Sequence, residues 1–429
     1  MRAAFWLLAL FAIAAATALF AGNNQAVISI FWPPHRLDVS FNLAVFLLVG
    51  LFVLIYVALR ALSAVVSLPL EARRWRAQQK ERAMYVALMD AFAHLLAGRY
   101  IRATKSAQNA LTQEKSLSHL ACESGQVPGY SPAKASQLQS LAHLLVAESA
   151  QALQNKALRD EHLQLALQSS APRHAHEVRE GVQFRAARWA LDDRDAVAAL
   201  DALMKLPLGA TRRTLALRMK LRATRQLRQT PAALETARLL AKHRAFSPAA
   251  AQSIVRGLGL ELLSDAHDPA QLQQAWEVLD DSERAMPELV IHAVSRLMAL
   301  HGDAALARIW LLPIWEQAML SSSSISDSMR IKLIAALELG LDSLDVPWLA
   351  RIEAAQTARP RDANVQYLAG MACLNRQLWG KARQLLALSV LGLQDAGLYR
   401  KAWRGLAVLA EQRGDEAAAA EAYKQAALS

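Results

Sequence analysis

The sequence is poor in cysteine, glycine and proline. Its 429 residues include only 2 cysteines, 17 glycines and 14 prolines. Cys122 and Cys373 lie too far apart for a zinc ribbon or a thioredoxin-type pair, and two cysteines make no disulfide framework. The scarcity of turn-forming residues, together with long tracts of Ala, Leu, Arg and Gln, argues against an all-β fold and against disorder. The composition therefore predicts a largely α-helical protein.

Motifs of the common catalytic classes are also missing. The chain has neither a phosphate-binding Gly-x-x-x-x-Gly-Lys-Ser/Thr loop nor a His-Glu-x-x-His zinc motif, and Gly257 and Gly259 lack the third glycine of a dinucleotide fingerprint. The tight pair His174 and His176 is a possible metal or haem ligand, but i, i+2 spacing puts the rings on different helix faces. We expect no catalytic, cofactor-binding or metal-binding residues, and we interpret both cysteines as packing residues.

Two long apolar segments lie near the N-terminus. Ala3–Ala21 and Phe41–Leu59 each contain 19 residues without a charge, about the length that crosses a hydrocarbon core as a helix. A cleaved signal peptide has a shorter apolar region, and the second segment favours a two-helix membrane hairpin. The connecting loop, residues 22–40, is predicted either as a short strand pair or as a plain loop.

Positive charge is concentrated beside these segments. Residues 1–82 carry eight basic and three acidic side chains, a net charge of +5 out of the +11 of the whole chain. Since cationic flanks stay in the cytoplasm, both termini are predicted to be cytoplasmic and the loop periplasmic. The basic run after the second segment either only fixes this topology or also contacts anionic lipid through Arg73, Arg74 and Arg76. The remaining charge is diluted over a long chain, so we expect no nucleic-acid binding.

From Met84 onward the sequence has the pattern of paired amphipathic helices separated by turn signals. The clearest matches to the tetratricopeptide repeat, in which small residues let two helices touch, lie at residues 84–117 and 363–429. In the second region Gly370 takes the close-contact position and Gly414 the turn. A weaker match surrounds residues 185–202, and residues 205–355 keep the rhythm without the signature residues.

The predicted fold is therefore all-α. A two-helix transmembrane hairpin occupies residues 1–70, and a tetratricopeptide-like α-solenoid, which buries its core by stacking successive units, occupies residues 71–429.

The concave face of such an array is the expected binding surface. On the first helices of the two C-terminal repeats, the positions between the packing residues are Asn364, Tyr367, Met371, Lys401 and Arg404. Lys401 and Arg404 share one helix face and would hold an acidic segment of a partner, while Tyr367 and Met371 offer an adaptable apolar surface. The alternative is that this face is only solvated, or is covered by a neighbouring repeat.

The order of these features resembles the HemY family of proteobacterial inner-membrane proteins. The resemblance is carried by the two spans, the loop with VISI and LDVSF, the basic RRWR–QQKER exit, and the helix pair with Gly98-Arg99-Tyr100. It implies a bacterial inner-membrane protein with two spans and a cytoplasmic repeat region, associated with late haem biosynthesis as a non-catalytic partner of enzymes such as ferrochelatase. It does not imply the flavin-dependent oxidase of the same name, whose dinucleotide fingerprint and alternating strands this chain lacks. Two alternatives stay open: a porphyrin- or haem-binding carrier, and a scaffold for another envelope process.

Overall fold

The computed structural model describes residues 26–124, 131–320 and 326–428, with isolated positions between 11 and 22. Most of the first predicted span therefore lies outside the described residues, as do the four serines at 321–324, one of the turn signals between the predicted helices. Within them the chain is helical apart from one strand pair. It divides into two compact units, residues 1–179 and 180–429.

A β-hairpin occupies the predicted loop between the two apolar segments. Strands β1 (Val27–Trp32) and β2 (His35–Ser40) pair antiparallel around Pro33 and Pro34. Of the two interpretations of this loop, the strand pair is therefore the correct one. Ser40 ends β2 and also caps the following helix, because its hydroxyl accepts a hydrogen bond from the N–H of Leu43 at 3.4 Å.

One helix, α1 (Phe41–Leu96), runs through the second predicted span and on into the first predicted repeat. Its first part, Phe41–Ser63, is apolar and long enough to cross a membrane, and none of it is buried inside the protein. Its last part packs on the next helix through small residues, including Ala87 and Ala91. The second predicted apolar helix is confirmed, and the boundary predicted at residue 70 falls inside α1.

Three further helices complete most of the first unit: α2 (Tyr100–Ser124), α3 (Pro132–Ala152) and α4 (Lys156–Ser169). Each packs against the helix before it in the chain. Gly98 adopts a φ of 71° in the turn between α1 and α2, a left-handed conformation that glycine adopts without strain. Ala103 and Ala107 are completely buried between the helices. The end of α1 and the helix α2 thus form a closely packed helix pair.

The second unit continues the pattern with shorter helices. They are α5 (His176–Asp192), α6 (Ala196–Met204), α7 (Leu208–Thr211), α8 (Thr214–Gln226), α9 (Thr230–Lys242), α10 (Pro248–Ser264), α11 (Pro269–Val278), α12 (Asp281–Arg284), α13 (Pro287–Ala299), α14 (Ala304–Leu320), α15 (Asp327–Glu338), α16 (Val346–Ala358), α17 (Ala363–Asn375), α18 (Trp379–Ser389), α19 (Ala396–Glu411) and α20 (Glu416–Leu428).

Helices α10, α13, α15, α17 and α19 contact one another in this order and form one layer of the second unit. These are the first helices of successive pairs, and their contacts extend the array through residues 205–355, where the signature residues are missing. A single apolar core runs from Leu217 in α8 to Leu409 in α19. This stacked layer and its shared core confirm the predicted α-solenoid.

Prolines at the predicted turn signals begin helices. Helices α9, α10, α11, α13 and α16 each have proline at their first or second position, where the missing N–H removes no intrahelical hydrogen bond. The preceding residue often caps the helix: Ser247 accepts from the N–H of Ala250 at 3.3 Å, and Asp268 from the N–H of Gln271 at 2.8 Å.

Gly370 on α17 takes the close-contact position predicted for it. A Cβ there would come within 2.8 Å of the Leu386 side chain on α18 and within 3.2 Å of its backbone nitrogen. Because the backbone cannot move aside, we expect Gly370→Ala to lower the free energy of unfolding by about 2 kcal/mol, measured by urea denaturation. Gly380→Ala on α18 is the matched control, since its Cβ would meet no atom within 4 Å. Equal stability of the two variants would contradict the close-contact assignment.

Candidate partner-binding groove

A cavity of about 560 Å³ opens along the layer of first helices in the second unit. We call it the groove. It is lined by α10, α13, α15 and α19, which are all first helices of their pairs. Its apolar part consists of Leu260, Ile291, Met329, Ala335, Ala336 and Leu339. Flexible and branched apolar side chains of this kind can accommodate an apolar segment of a partner.

Charged side chains of both signs line the groove. Lys401 lies 3.0 Å from the carboxylate of Glu338, and Glu288 pairs with Arg256 at 2.9 Å. His292 lies 2.8 Å from the hydroxyl of Ser264. Burial lowers the pKa of His292, and the nearby Arg296 lowers it further, which favours the neutral ring.

The predicted binding residues fall into three groups. Lys401 lines the groove, and Arg404 is exposed one turn further along α19. Asn364 and Met371 are half-buried on α17. Tyr367 is completely buried, so its predicted exposure was wrong.

The burial of Tyr367 follows from the position of α17. This helix packs against α15, α16, α18 and α19, and these neighbours cover a face that one repeat alone leaves open. Burial raises the pKa of Tyr367, and the carboxylate of Glu338 beside it adds to the effect. Tyr367 is therefore a core residue, and of the predicted set only Lys401 lines the groove.

A second cavity, of about 460 Å³, is lined by basic residues. Arg218, Arg222 and Arg225 project into it from one face of α8, and we call it the arginine cleft. Phe246 and Glu261 complete its walls. Helix α10 contributes Glu261 to the arginine cleft and the adjacent Leu260 to the groove, so the two cavities border neighbouring faces of this helix.

Two of these arginines are held in place by neighbours. The Arg218 guanidinium stacks 5.5 Å from the centre of the Phe246 ring and donates to the carbonyl of Ala245 at 2.7 Å. Arg222 lies 3.3 Å from Asp192, in a pair whose side chains are both exposed. Sequence analysis missed the cleft, although the i, i+4, i+7 spacing of the arginines in LALRMKLRATRQ was a usable signal.

The histidines singled out from the sequence do not converge on a ligand. His174 and His176 are both exposed, and His174 lies 2.9 Å from the hydroxyl of Ser136. The structure instead brings together His143 on α3 and His162 on α4, whose Nδ1 atoms are 3.0 Å apart. No group of three or more His, Cys, Asp or Glu side chains suited to a metal ion occurs among the described residues.

Cys373 lies completely buried on α17, as expected for a packing residue. Burial raises the pKa of its thiol, which disfavours the reactive thiolate. The side chain of Cys122 lies outside the described residues.

Together these features define an α-helical repeat protein with an apolar helix near its N-terminus. Residues 27–122 match the family described as HemY protein N-terminus. This match covers the strand pair, α1 and most of α2, and over this region it confirms the resemblance inferred from the sequence. No curated protein matches the chain.

Two solved structures share the helical character of the chain. The TPR domain of P58(IPK) has 13% identity and a TM-score of 0.22, with 77% of this chain and 99% of that chain covered. The structure of Naa15/Naa10 bound to HypK-THB has 12% identity and a TM-score of 0.26, with 83% of this chain and 65% of that chain covered.

Proposed function

We propose that the protein is a non-catalytic, membrane-anchored scaffold that binds partner proteins through the groove and the arginine cleft of its second unit. The observation that carries this proposal is that an apolar groove and an arginine cleft border neighbouring faces of α10. An extended partner with apolar residues followed by an acidic stretch has complementary chemistry for both cavities.

The charge of α8 favours an acidic partner. This helix carries four basic residues and no acid. Like charges one turn apart on a helix face destabilise it, by roughly 0.2–0.5 kcal/mol a pair. Within the described part of the chain, Asp192 is the one carboxylate that forms an ion pair with these arginines. An acidic ligand would relieve this repulsion, and arginine suits carboxylates because its planar fork donates two hydrogen bonds at once.

The membrane anchor is the second part of the proposal. Phe41–Ser63 supports one span, and we propose Ala3–Ala21 as the other, with both termini cytoplasmic and the β-hairpin periplasmic in a bacterial inner membrane. In this arrangement residues 1–70 form the anchor and residues 71–429 the cytoplasmic repeat region. The basic run after the second span would contact anionic lipid; Arg76 is exposed, while the side chains of Arg73 and Arg74 lie outside the described residues.

The pathway part of the proposal rests on the family match. We propose that the partners are enzymes of late haem biosynthesis, such as ferrochelatase, brought together at the membrane. The alternatives are a porphyrin or haem carrier and a scaffold for another envelope process.

Crosslinking in native membranes, followed by identification of the captured proteins, tests this proposal. We expect the wild type to capture haem-pathway enzymes, and Arg222→Glu/Arg225→Glu to reduce capture by roughly tenfold or more, because two attractive contacts become repulsive. Lys220→Glu, a single charge reversal on another face of α8, is the control and should capture normally.

Other outcomes separate the alternatives. Capture of unrelated envelope proteins would reject the haem pathway and leave a scaffold. Equal capture by the cleft variant and the control would reject the arginine cleft. A sharp Soret shift on adding haem to the purified protein, lost in a His174/His176 double variant, would favour the carrier.

A further inference from the structure

An apolar stripe runs along the outer side of α1, beyond the apolar part of that helix. It consists of Tyr85, Met89, Phe92 and Leu96, with exposed fractions of 40%, 68%, 52% and 77%. We call it the α1 stripe. The opposite side of α1 holds the buried residues that pack on the rest of the first unit.

The α1 stripe is unusual for the end of a solenoid. Terminal helices of repeat arrays need a polar outer face, because no further repeat covers them. Here the first helix of the array leaves four large apolar side chains exposed within about two heptads. Exposed apolar residues that form a continuous row mark an interaction surface, whereas scattered ones need no explanation.

The spacing of the α1 stripe identifies the kind of partner. Its members are separated by four, three and four residues, which is the alternation of d and a positions in a coiled coil. Val86, at the position flanking the first of them, is also exposed and apolar. Such a seam fits another helix that has the same repeat, because each side chain inserts between four residues of the facing helix.

We propose that the α1 stripe pairs with the α1 stripe of a second copy of this chain in a parallel helical dimer. A second copy in the same membrane has its α1 in the same orientation and at the same height, so its seam is in register. Tyr85 lies 22 residues beyond Ser63, about 33 Å along the helix axis and outside the lipid headgroup region. The proposal depends on the proposed function only for this common membrane orientation.

The α1 stripe consists of only four residues. The same spacing continued toward the N-terminus falls on Arg82 and Gln78, which are polar. Four apolar positions give a weak association in dilute solution. Anchoring confines copies to a surface and raises their effective concentration, so a weak seam suffices to pair them. Two-fold symmetry also closes the interface, because the same patch on each copy is covered.

Disulfide trapping in the full-length protein tests the pairing. In a background with Cys122→Ser and Cys373→Ala, Met89→Cys places a thiol in the seam, where the two Cα atoms approach within disulfide range. Asp90→Cys, an exposed neighbour on another side of α1, is the matched control. On oxidation of native membranes, we expect a species of twice the chain mass from Met89→Cys and little from Asp90→Cys.

A third variant adds Phe92→Lys to the Met89→Cys chain and should abolish the dimer, since it places two like charges in the seam. Phe92 is half exposed, so this substitution leaves the fold of the first unit intact, which circular dichroism checks. Equal trapping at positions 89 and 90, trapping to a different protein, or no product would each overturn the pairing. Fractionation of the same samples separates the two proposals: a chain found in the soluble fraction refutes anchoring, whereas a membrane-bound chain that gives no dimer refutes only the pairing.

Discussion

Arg238→Ala is expected to lower the free energy of unfolding by about 3 kcal/mol. Arg238 on α9 donates to both carboxylate oxygens of Glu283 on α12, at 2.9 and 2.6 Å, and to the carbonyl of Val278 at 2.9 Å. Glu283 is only 3% exposed. Removing the arginine leaves a buried carboxylate without its cation, and this desolvated charge causes the loss.

Amide hydrogen exchange of α9 and α12, together with urea denaturation, measures this effect. Adding Glu283→Gln to the Arg238→Ala variant should restore part of the stability, because it removes the uncompensated charge. Lys381→Ala is the control: its pair with Glu353 at 2.6 Å is exposed on both sides, and such pairs contribute at most about 1 kcal/mol. A similar loss of unfolding free energy in Arg238→Ala and Lys381→Ala would show that the burial of Glu283 does not increase the effect.

Acid is expected to destabilise the first unit through His143 and His162. Burial, together with the smaller effects of the charges of His162 and Lys115, lowers the pKa of His143 from 6.5 to about 4. Burial also lowers the pKa of His162, against the opposing effect of Glu161. The unfolded chain therefore binds a proton at position 143 below about pH 6.5, whereas the folded chain binds it only near pH 4. Stability is lost as the pH falls through this interval, by about 3 kcal/mol for His143.

Denaturation at pH 7.5 and at pH values down to about 4 gives the size of this loss. His143→Asn keeps a hydrogen-bonding group near the Nδ1 position but does not titrate, so it should remove most of the pH dependence. His176→Asn, the same change at an exposed histidine, serves as the control. An unchanged pH dependence in His143→Asn would mean that acid acts elsewhere in the chain.

The helix pairs were predictable because their signals are local. Gly98 and Gly414 mark turns that need positive φ, and both adopt it. Gly370 and Ala103 occupy positions where two helices touch, which sterics alone require. The strand pair at residues 27–40 was harder, since alternating residues in a short loop are compatible with either structure.

Surface exposure could not be derived from single repeats. The helix pair that contains Tyr367 would leave it exposed if it stood alone. The stacking of α17 against its neighbours buries it. The arginine cleft also combines separate segments, because Phe246 and Glu261 come from outside α8. The His143–His162 contact and the Arg238–Glu283 pair likewise join residues 19 and 45 positions apart, and no motif links them.

The continuity of α1 has a mechanical consequence. With 56 residues and about 84 Å of length, it joins the apolar segment to the first repeat without a loop, so the two cannot rotate independently. Because α1 is continuous, rotation of Phe41–Ser63 about the helix axis also rotates the first repeat. Pro69, the single proline in α1, has no N–H to donate to the carbonyl of Val65, and proline is a usual site of helix bending. The missing hydrogen bond makes bending at Pro69 easier than elsewhere in α1, so bending forces on the first repeat would act mainly there.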